Sequence, residues 1–490
     1  MASRVLVRWG AGVAAAGALV LLAPCSTHRV PPVDLYPERQ AWAQQIDWSV
    51  AKQEATSVLS AYLALDTSNP PGRESLGAAY LASILASEGI EASTHEFAPG
   101  RSNLVARLRS EHPEEAPLCL MSHIDVVTAE TEHWSQDPFR GTVDDEGYIW
   151  GRGALDMKGT GVVELLTLVW LKRLGVPLRR DVVLLAVGDE EVDNLGVRFL
   201  ADHHWDDIGC SHVLNEGGVG VEGALVDGLT TFAVAFTEKG SFWLRMHVDG
   251  PPGHGSTPMP DSAPAKLVQA LDRIRARKPK PTFHPEVYTL LGAIGERAGG
   301  LTGAVLRSPT LVRSLAVGRL MDNPVSRALI TNTINITGFG GAEEPNVIPS
   351  RVWAQLDIRM LPGTTSADMM AELHELTDGI DGVSFEVLQD LPAVESPTDD
   401  AVYQTLVRRV QLEWPDAAVG PLIMPGTTDS QILRPLGVHA YGLTHFLLTP
   451  DELRTMHGHD ERIHVDTLAT GLRVVLQVVL DLAAHDKPGG

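Results

Sequence analysis

Cysteine is scarce in this chain, with only Cys25, Cys119 and Cys210 among 490 residues. They form no Cys-x-x-Cys pair and no disulfide framework, so any metal site is expected to use His, Asp and Glu. Cys119 lies in an apolar run and reads as core. Positive charge is also short: 39 Lys and Arg stand against 62 Asp and Glu, a formal net charge of -23. That deficit argues against a nucleic-acid partner, because phosphate neutralisation draws on Lys and Arg. It equally disfavours adsorption to anionic lipid. Internal repeats and low-complexity segments are missing. What is present is a globular composition, 44% hydrophobic and 21% charged, in a chain long enough for more than one domain.

The N-terminus has the pattern of a targeting segment. Arg4 and Arg8 precede an apolar stretch from Ala11 to Ala23, a positive n-region followed by an h-region. The stretch falls short of the ~20 residues of a membrane span. Residues 1–30 are therefore read as a signal or membrane-anchor segment. The expected location is periplasmic, extracellular or anchored to the membrane by the N-terminus.

Beyond it, short apolar runs alternate with helical periodicity. Leu118–Met121, Asp181–Val187 and His212–Leu214 read as strands, and Lys158–Leu174 as a helix between them. That order implies an α/β domain with a mostly parallel central sheet and helices on both faces. The texture changes near Gly240. Strand candidates Phe242–Val248, Thr331–Gly338, Arg351–Met360 and Val383–Leu388 are interleaved with helices Ala263–Ala276 and Ser366–Leu376, the β-α-β-β-α-β order of a ferredoxin-like domain. A partly helical stretch, about Lys278 to Leu329, interrupts it. The expected organisation is a catalytic domain in two parts, 44–240 and 393–486, split by an inserted lid or dimerisation domain at 241–392.

Acidic and histidine residues recur where apolar strands end, which is where open α/β sheets bind ligands. His123 and Asp125 follow the first strand, at a spacing that puts both side chains on one side of an extended segment. His123 can bind a metal, with Asp125 fixing its tautomer. Asp156 precedes a helix and reads either as an N-cap or as a carboxylate between two metals. Glu190 and Glu191 end the most apolar strand, where uncompensated charge is costly and divalent cations would supply the balance. Glu191 is then a ligand and Glu190 a general base, and Glu216, ending the next strand, is a further ligand. Any one of these residues alone reads as well as a surface loop or a cap.

Taken in order, His-x-Asp, Gly-Arg-Gly-x-x-Asp-x-Lys-Gly, Glu-Glu and Asn-Glu-Gly-Gly resemble the co-catalytic zinc hydrolases. That family includes aminoacylase, acetylornithine deacetylase, succinyl-diaminopimelate desuccinylase and carboxypeptidases G and S. The resemblance covers nearly the whole chain after about Gln44. It implies a fifth ligand near the C-terminus. Among His439, His445, His457, His459 and His464, the run Met456-His457-Gly458-His459-Asp460-Glu461-Arg462 selects His457. One zinc would take His123, Asp156 and Glu216, and the other Asp156, Glu191 and His457, with cobalt or manganese as substitutes. Glu190 would take the proton of the attacking water. Gly253-His254-Gly255-Ser256-Thr257-Pro258 resembles the family turn whose histidine stabilises the oxyanion, often in the partner subunit, which implies a homodimer. Asn346, Arg359 and Gly426 lie in segments resembling those that hold the substrate carboxylate. The plainer reading of Arg359 is a strand-surface salt bridge with Asp357. Glu238-Lys239-Gly240, the long insertion and the leader resemble the carboxypeptidase S and N-fatty-acyl-amino-acid hydrolase branch, which makes the insertion a candidate wall for an acyl chain. The implied activity is hydrolysis of an amide next to a free carboxylate. Alternatives are an aminopeptidase or dipeptidase on the same metals, or a non-catalytic relative.

Overall fold

The computed structural model describes residues 36–223, 226–341 and 344–486. The expected leader at 1–30 lies outside the described residues. Helix α1 (Trp48–Leu63) starts at Asp47, whose carboxylate accepts from the Ser49 and Val50 amides. After the turn at 68–72 come α2 (Glu74–Ser87) and strands β1 (Glu91–Ala98), β2 (Arg101–Leu108) and β3 (Leu118–His123). Then follow α3 (Lys158–Arg173), β4 (Val182–Val187), α4 (Leu195–His203), β5 (His212–Glu222) and β6 (Thr230–Glu238). The next segment holds β7 (Gly240–Asp249), α5 (Ala263–Arg275), α6 (Pro285–Ala298), β8 (Thr333–Gly340), β9 (Arg351–Met360), α7 (Ser366–Thr377) and β10 (Val383–Leu391). The chain closes with α8 (Ala401–Glu413), β11 (Ala418–Met424), β12 (His439–Leu448) and α9 (Val465–Ala483).

The main sheet has eight strands in the order β1-β2-β4-β3-β5-β12-β6-β11. Its centre is parallel: β3 pairs with β4 and β5, and β5 with β12. The β1–β2 and β2–β4 ladders at one edge are antiparallel. Every residue of β3 and β4 is buried, as expected of all-apolar strands covered on both faces. Alternation along them divides the core. Leu118, Leu120, Val182 and Leu184 pack with α3 and α9 on one face. Cys119, Met121, Val183 and Leu185 pack with α4 on the other.

That second face corrects one expectation. Cys119 and Cys210 form a disulfide across 91 positions, with Cα atoms 5.9 Å apart. Cys119 is core as expected, but it is bonded. Its partner lies at the entry to the adjacent strand β5, a proximity that spacing along the chain does not reveal.

The second sheet has the order β8-β9-β7-β10, all antiparallel. Residues of β7 and β9 alternate between buried and half-buried, with α5 and α7 on the buried face. This is the ferredoxin-like order. The interrupting segment does not belong to it. Leu290, Leu291 and Ile294 of α6 pack against Phe232, Val234 and Phe236 in the core of the main domain, as do Val312 and Ile330. Residues 285–330 thus leave the lid and cover the β6–β11 end of the main sheet, so the expected unit 241–392 is divided in space. Part of the apolar surface of that segment is taken up by this core packing, while Leu301, Leu315 and Val325 stay exposed.

Candidate active site

The parallel strands deliver their last residues to one end of the main sheet. His123 ends β3, and Glu190 and Glu191 follow β4 by three and four positions. Glu216 lies within β5. Its place depends on close backbone approach. Gly217 takes a φ of 140°, and a Cβ on Gly442 of β12 would collide with the Glu216 carbonyl.

His123 donates from Nδ1 to the backbone carbonyl of Asp125 at 2.8 Å, which turns Nε2 towards the cluster. The Asp125 carboxylate does something else. It accepts from the Glu190 and Glu191 amides at 3.2 Å each and from Asn69 Nδ2 at 2.9 Å. The expected tautomer control of His123 therefore comes from the Asp125 main chain, and the side chain positions the Glu190–Glu191 pair.

Asp156 stands between two histidines. His123 Nε2 is 3.0 Å from its Oδ1, and His457 Nε2 is 3.0 Å from its Oδ2. Asp156 is no N-cap: Met157 occupies that place, with no capping side chain. Glu216 Oε1 is 3.7 Å from His123 Nε2, and Glu191 Oε1 is 3.4 Å from His457 Nε2. That Glu191 oxygen is buried without a hydrogen bond. The structure therefore gathers two half-sites around one carboxylate, His123–Asp156–Glu216 and Asp156–Glu191–His457. Glu190 comes within 4.8 Å of His123 and Glu216 through its own carboxylate oxygen. Among the competing histidines, His445 is buried in β12 with Nε2 unpaired, and burial pushes it down to about 3.

The electrostatics of the cluster call for added positive charge. Burial, then the charge of Glu216, push Glu190 well above the usual carboxylate range. Burial and Asp156 do the same to Glu216. For Asp156, burial acts upward but hydrogen bonds from His123 and His457 outweigh it and hold the carboxylate low. Its partner Asp156, with the Glu191 carboxylate beside it, raises His457 to about 10. His123 rises well above its ordinary value despite burial, through Asp156 and the nearby glutamates. An imidazole and carboxylate donor set, an orphaned buried oxygen and this acid excess together fit a divalent metal.

Several residues that sequence reasoning did not assign hold the site in shape. Glu461 accepts from the Leu155 amide at 2.8 Å and the Asp156 amide at 3.2 Å, and pairs with Arg152 at 2.6 Å. Arg152 also donates to the Gly458 carbonyl at 2.8 Å, tying the Asp156 loop to the His457 loop. Glu461 stands in the run that selects His457, and no local periodicity marks its carboxylate. Glu461→Ala is expected to weaken metal binding by about 10- to 100-fold, the usual effect of removing a group that orients ligands. Metal titration of the stripped variant checks this, with Glu461→Gln as the milder companion.

The other side of the site is the loop 426–430. Thr428 donates to Glu238 through its amide at 2.9 Å and its hydroxyl at 2.6 Å, and Glu238 is itself buried against Arg434 at 3.0 Å. Lys239 donates to the Thr331 carbonyl at 2.8 Å. Glu238-Lys239-Gly240 thus anchors the junction between the two domains. Asp429, also unassigned from sequence, is pushed up to about 7 by burial and receives a hydrogen bond from Asn194 at 3.0 Å. Arg359 of β9 reaches this loop, with Nη1 3.4 Å from Thr427 Oγ1, while its Nε pairs with Asp357 at 2.7 Å. The loop residue Gly426 and Arg359 are therefore neighbours of one region. His254 and Asn346 are not gathered with the cluster. His254 pairs in register with Val347 and its Nδ1 meets Ser256 Oγ at 2.8 Å, and the Asn346 carbonyl accepts from the Gly255 amide at 2.7 Å. Among the described residues, no hydrogen bond or ion pair joins His254 to the metal-type cluster.

Known proteins are similar to this chain over most of its length. Aminoacylase-1B of Rattus norvegicus is 28% identical over 435 residues, covering 86% of this chain and 94% of the relative. An N-fatty-acyl-amino acid synthase/hydrolase of Homo sapiens is 29% identical over 407 residues, covering 80% of this chain and 79% of the relative. In fold, the chain is similar to an M20 family metallo-carboxypeptidase from Sulfolobus solfataricus. The TM-score is 0.66 and the identity 18%, with 88% of this chain and 99% of that one covered. The sequence model of Peptidase family M20/M25/M40 matches residues 119–481. A match of that extent places the chain in this family, and the protein is a metal-dependent hydrolase of amide bonds.

Proposed function

We propose that the protein uses two zinc ions to hydrolyse an amide bond next to a free carboxylate, in an N-acyl amino acid or a peptide C-terminus. The observation that carries this reading is Asp156, whose two oxygens each face a different histidine at 3.0 Å. His123 and Glu216 would hold one ion and Glu191 and His457 the other. Such ions polarise the scissile carbonyl and lower the pKa of water. Glu190 then takes a proton from the water that adds to the carbonyl carbon. As the carbon–nitrogen bond breaks, Glu190 passes that proton to the leaving nitrogen. Arg359 and the amides of the Gly426 loop hold the substrate carboxylate.

His254 is exposed on the lid beside Asn346, outside its own chain's cluster, which supports a role on the oxyanion in a partner subunit of a homodimer. Export is supported by the leader pattern and by the Cys119–Cys210 disulfide, since disulfides persist in oxidising compartments.

The ion pair of Arg359 with Asp357 favours the second reading, in which Arg359 is structural and the enzyme is an aminopeptidase or dipeptidase. Zinc-loaded protein given N-acyl amino acids of increasing chain length, dipeptides and aminoacyl amides separates the two. Much faster cleavage of substrates with a free carboxylate is the expected result, and release from aminoacyl amides at equal rate overturns it. In the same assay Arg359→Ala is expected to raise KM by about 10- to 100-fold for carboxylate substrates, as loss of a charged hydrogen bond does. It should leave the slow turnover of amide analogues unchanged.

A further inference from the structure

A second cluster of metal-type donors lies at the opposite end of the same strands. His212 and His439 are the first residues of β5 and β12, and they sit side by side in the parallel register. Both rings point at one oxygen. His212 Nε2 is 3.1 Å and His439 Nδ1 is 3.0 Å from Oδ2 of Asp400. The rings meet edge to face, with centroids 5.2 Å apart. The three donor atoms lie within 4.8 Å of one another. Glu216 follows His212 by four residues in β5, which puts about 13 Å of strand between this cluster and the catalytic one.

The surroundings of the three residues orient them. Ser211 Oγ lies 2.8 Å from His212 Nδ1, so the second ring nitrogen of His212 has its own partner. Oδ1 of Asp400 accepts from the Val402 amide at 2.7 Å and caps α8, which leaves Oδ2 to the two rings. Hydrogen bonds from His212, the Val402 amide and His439 keep Asp400 ionised against its burial. The His212 and Asp400 side chains are 17% and 15% exposed, whereas that of His439 is 38% exposed, so a small ion and a water can enter from that side. The buried Arg180 guanidinium pairs with Glu115 and acts on Asp400 through its charge, without an ion pair to it among the described residues.

We propose that His212, Asp400 and His439 form a structural site for one zinc ion, separate from the catalytic metals. Two imidazole nitrogens and one carboxylate oxygen, with water in the fourth position, make a tetrahedral donor set of the kind zinc accepts. The ion would join the starts of two central strands to the N-terminus of α8. Its function is to brace the non-catalytic end of the sheet, next to the Cys119–Cys210 disulfide.

The test uses untagged full-length protein carrying Asp156→Ala and His457→Ala, which removes two catalytic ligands. After dialysis against zinc and then buffer, this protein is expected to retain about one zinc per chain by elemental analysis. Its thermal midpoint should rise by several degrees with added zinc, and cobalt should give visible absorption bands. Adding His439→Gln should abolish all three signals. A background protein that binds no zinc, or one whose binding is unchanged by His439→Gln, overturns the proposal. Should circular dichroism show that the background variant is unfolded, the otherwise wild-type chain decides. There, His439→Gln should lose about one zinc per chain with kcat unchanged, and equal zinc content in the two proteins refutes the site.

Discussion

Glu190→Gln is expected to lower kcat by about 10²- to 10⁴-fold while KM and metal content stay near those of the wild type. The size is what a positioned general base contributes. Glutamine keeps the shape of the side chain and removes its ability to carry a proton. Burial and the charge of Glu216 already raise the affinity of Glu190 for a proton, which suits a group that must accept one and return it. The same experiment separates base from ligand. Glu190 stands within reach of His123 and Glu216, so it is also placed to coordinate. A variant that loses metal along with activity makes Glu190 a ligand. A variant that keeps its metal and loses less than tenfold in rate moves the base elsewhere. Asp429, raised to about 7, would be the next residue to test.

Asp156→Ala is expected to have the larger effect on the metal centre, emptying both half-sites at once. The other ligands serve one histidine each, but Asp156 faces both. Its loss should weaken each ion by more than the ~10- to 100-fold typical of an orienting residue. Activity should fall below detection, and elemental analysis should find little catalytic metal. Removing Glu191 or Glu216 instead should leave one ion bound. A distinct pH signature follows in metal-free protein. Asp156 and Glu191 hold His457 raised to about 10 in the folded state. That contribution to stability is fully present below the unfolded histidine pKa of about 6.5. It is lost as pH rises through the folded value near 10. Thermal midpoints of the metal-free wild type should therefore decline between those limits. The decline should be shallower in Asp156→Ala. An identical slope in both proteins would remove Asp156 as the partner of His457.

Much of the main domain was legible because its chemistry sits at boundaries that local pattern marks. Val182–Val187 is apolar throughout and then meets acids, and only a strand end facing a site explains charge there. Leu118–His123 and His212–Glu216 repeat the logic. The lid was legible from alternation along Phe242–Val248 and Arg351–Met360. What the pattern hid lies in contacts between distant parts of the chain. Asn69 joins Asp125 to Asp189, and Arg101 pairs with both Glu74 and Asp189. The Cys119–Cys210 bond required knowing that β3 and β5 are adjacent. The helices at 285–330 carry an amphipathic pattern that marks an apolar side without naming the surface it meets, and that surface is β6 and β11 rather than the lid. Asp125 lies beside His123 as the spacing implies, but periodicity cannot tell whether a carboxylate or a carbonyl meets the ring.

The brace between Glu461 and the Asp156 loop also has a temporal meaning. Glu461 reaches the Leu155 amide across 306 residues, and His457 comes from the same late segment. At about 5–20 residues per second, a growing chain exposes His123 and Asp156 some tens of seconds before either of these residues is made. Throughout that interval the early acidic strands lack both their closing histidine and the clamp that aims Asp156. On the proposed assignment of the metal ligands, high-affinity metal capture is an event of the finished chain, and a nascent or prematurely terminated chain would hold no competent hydrolytic centre.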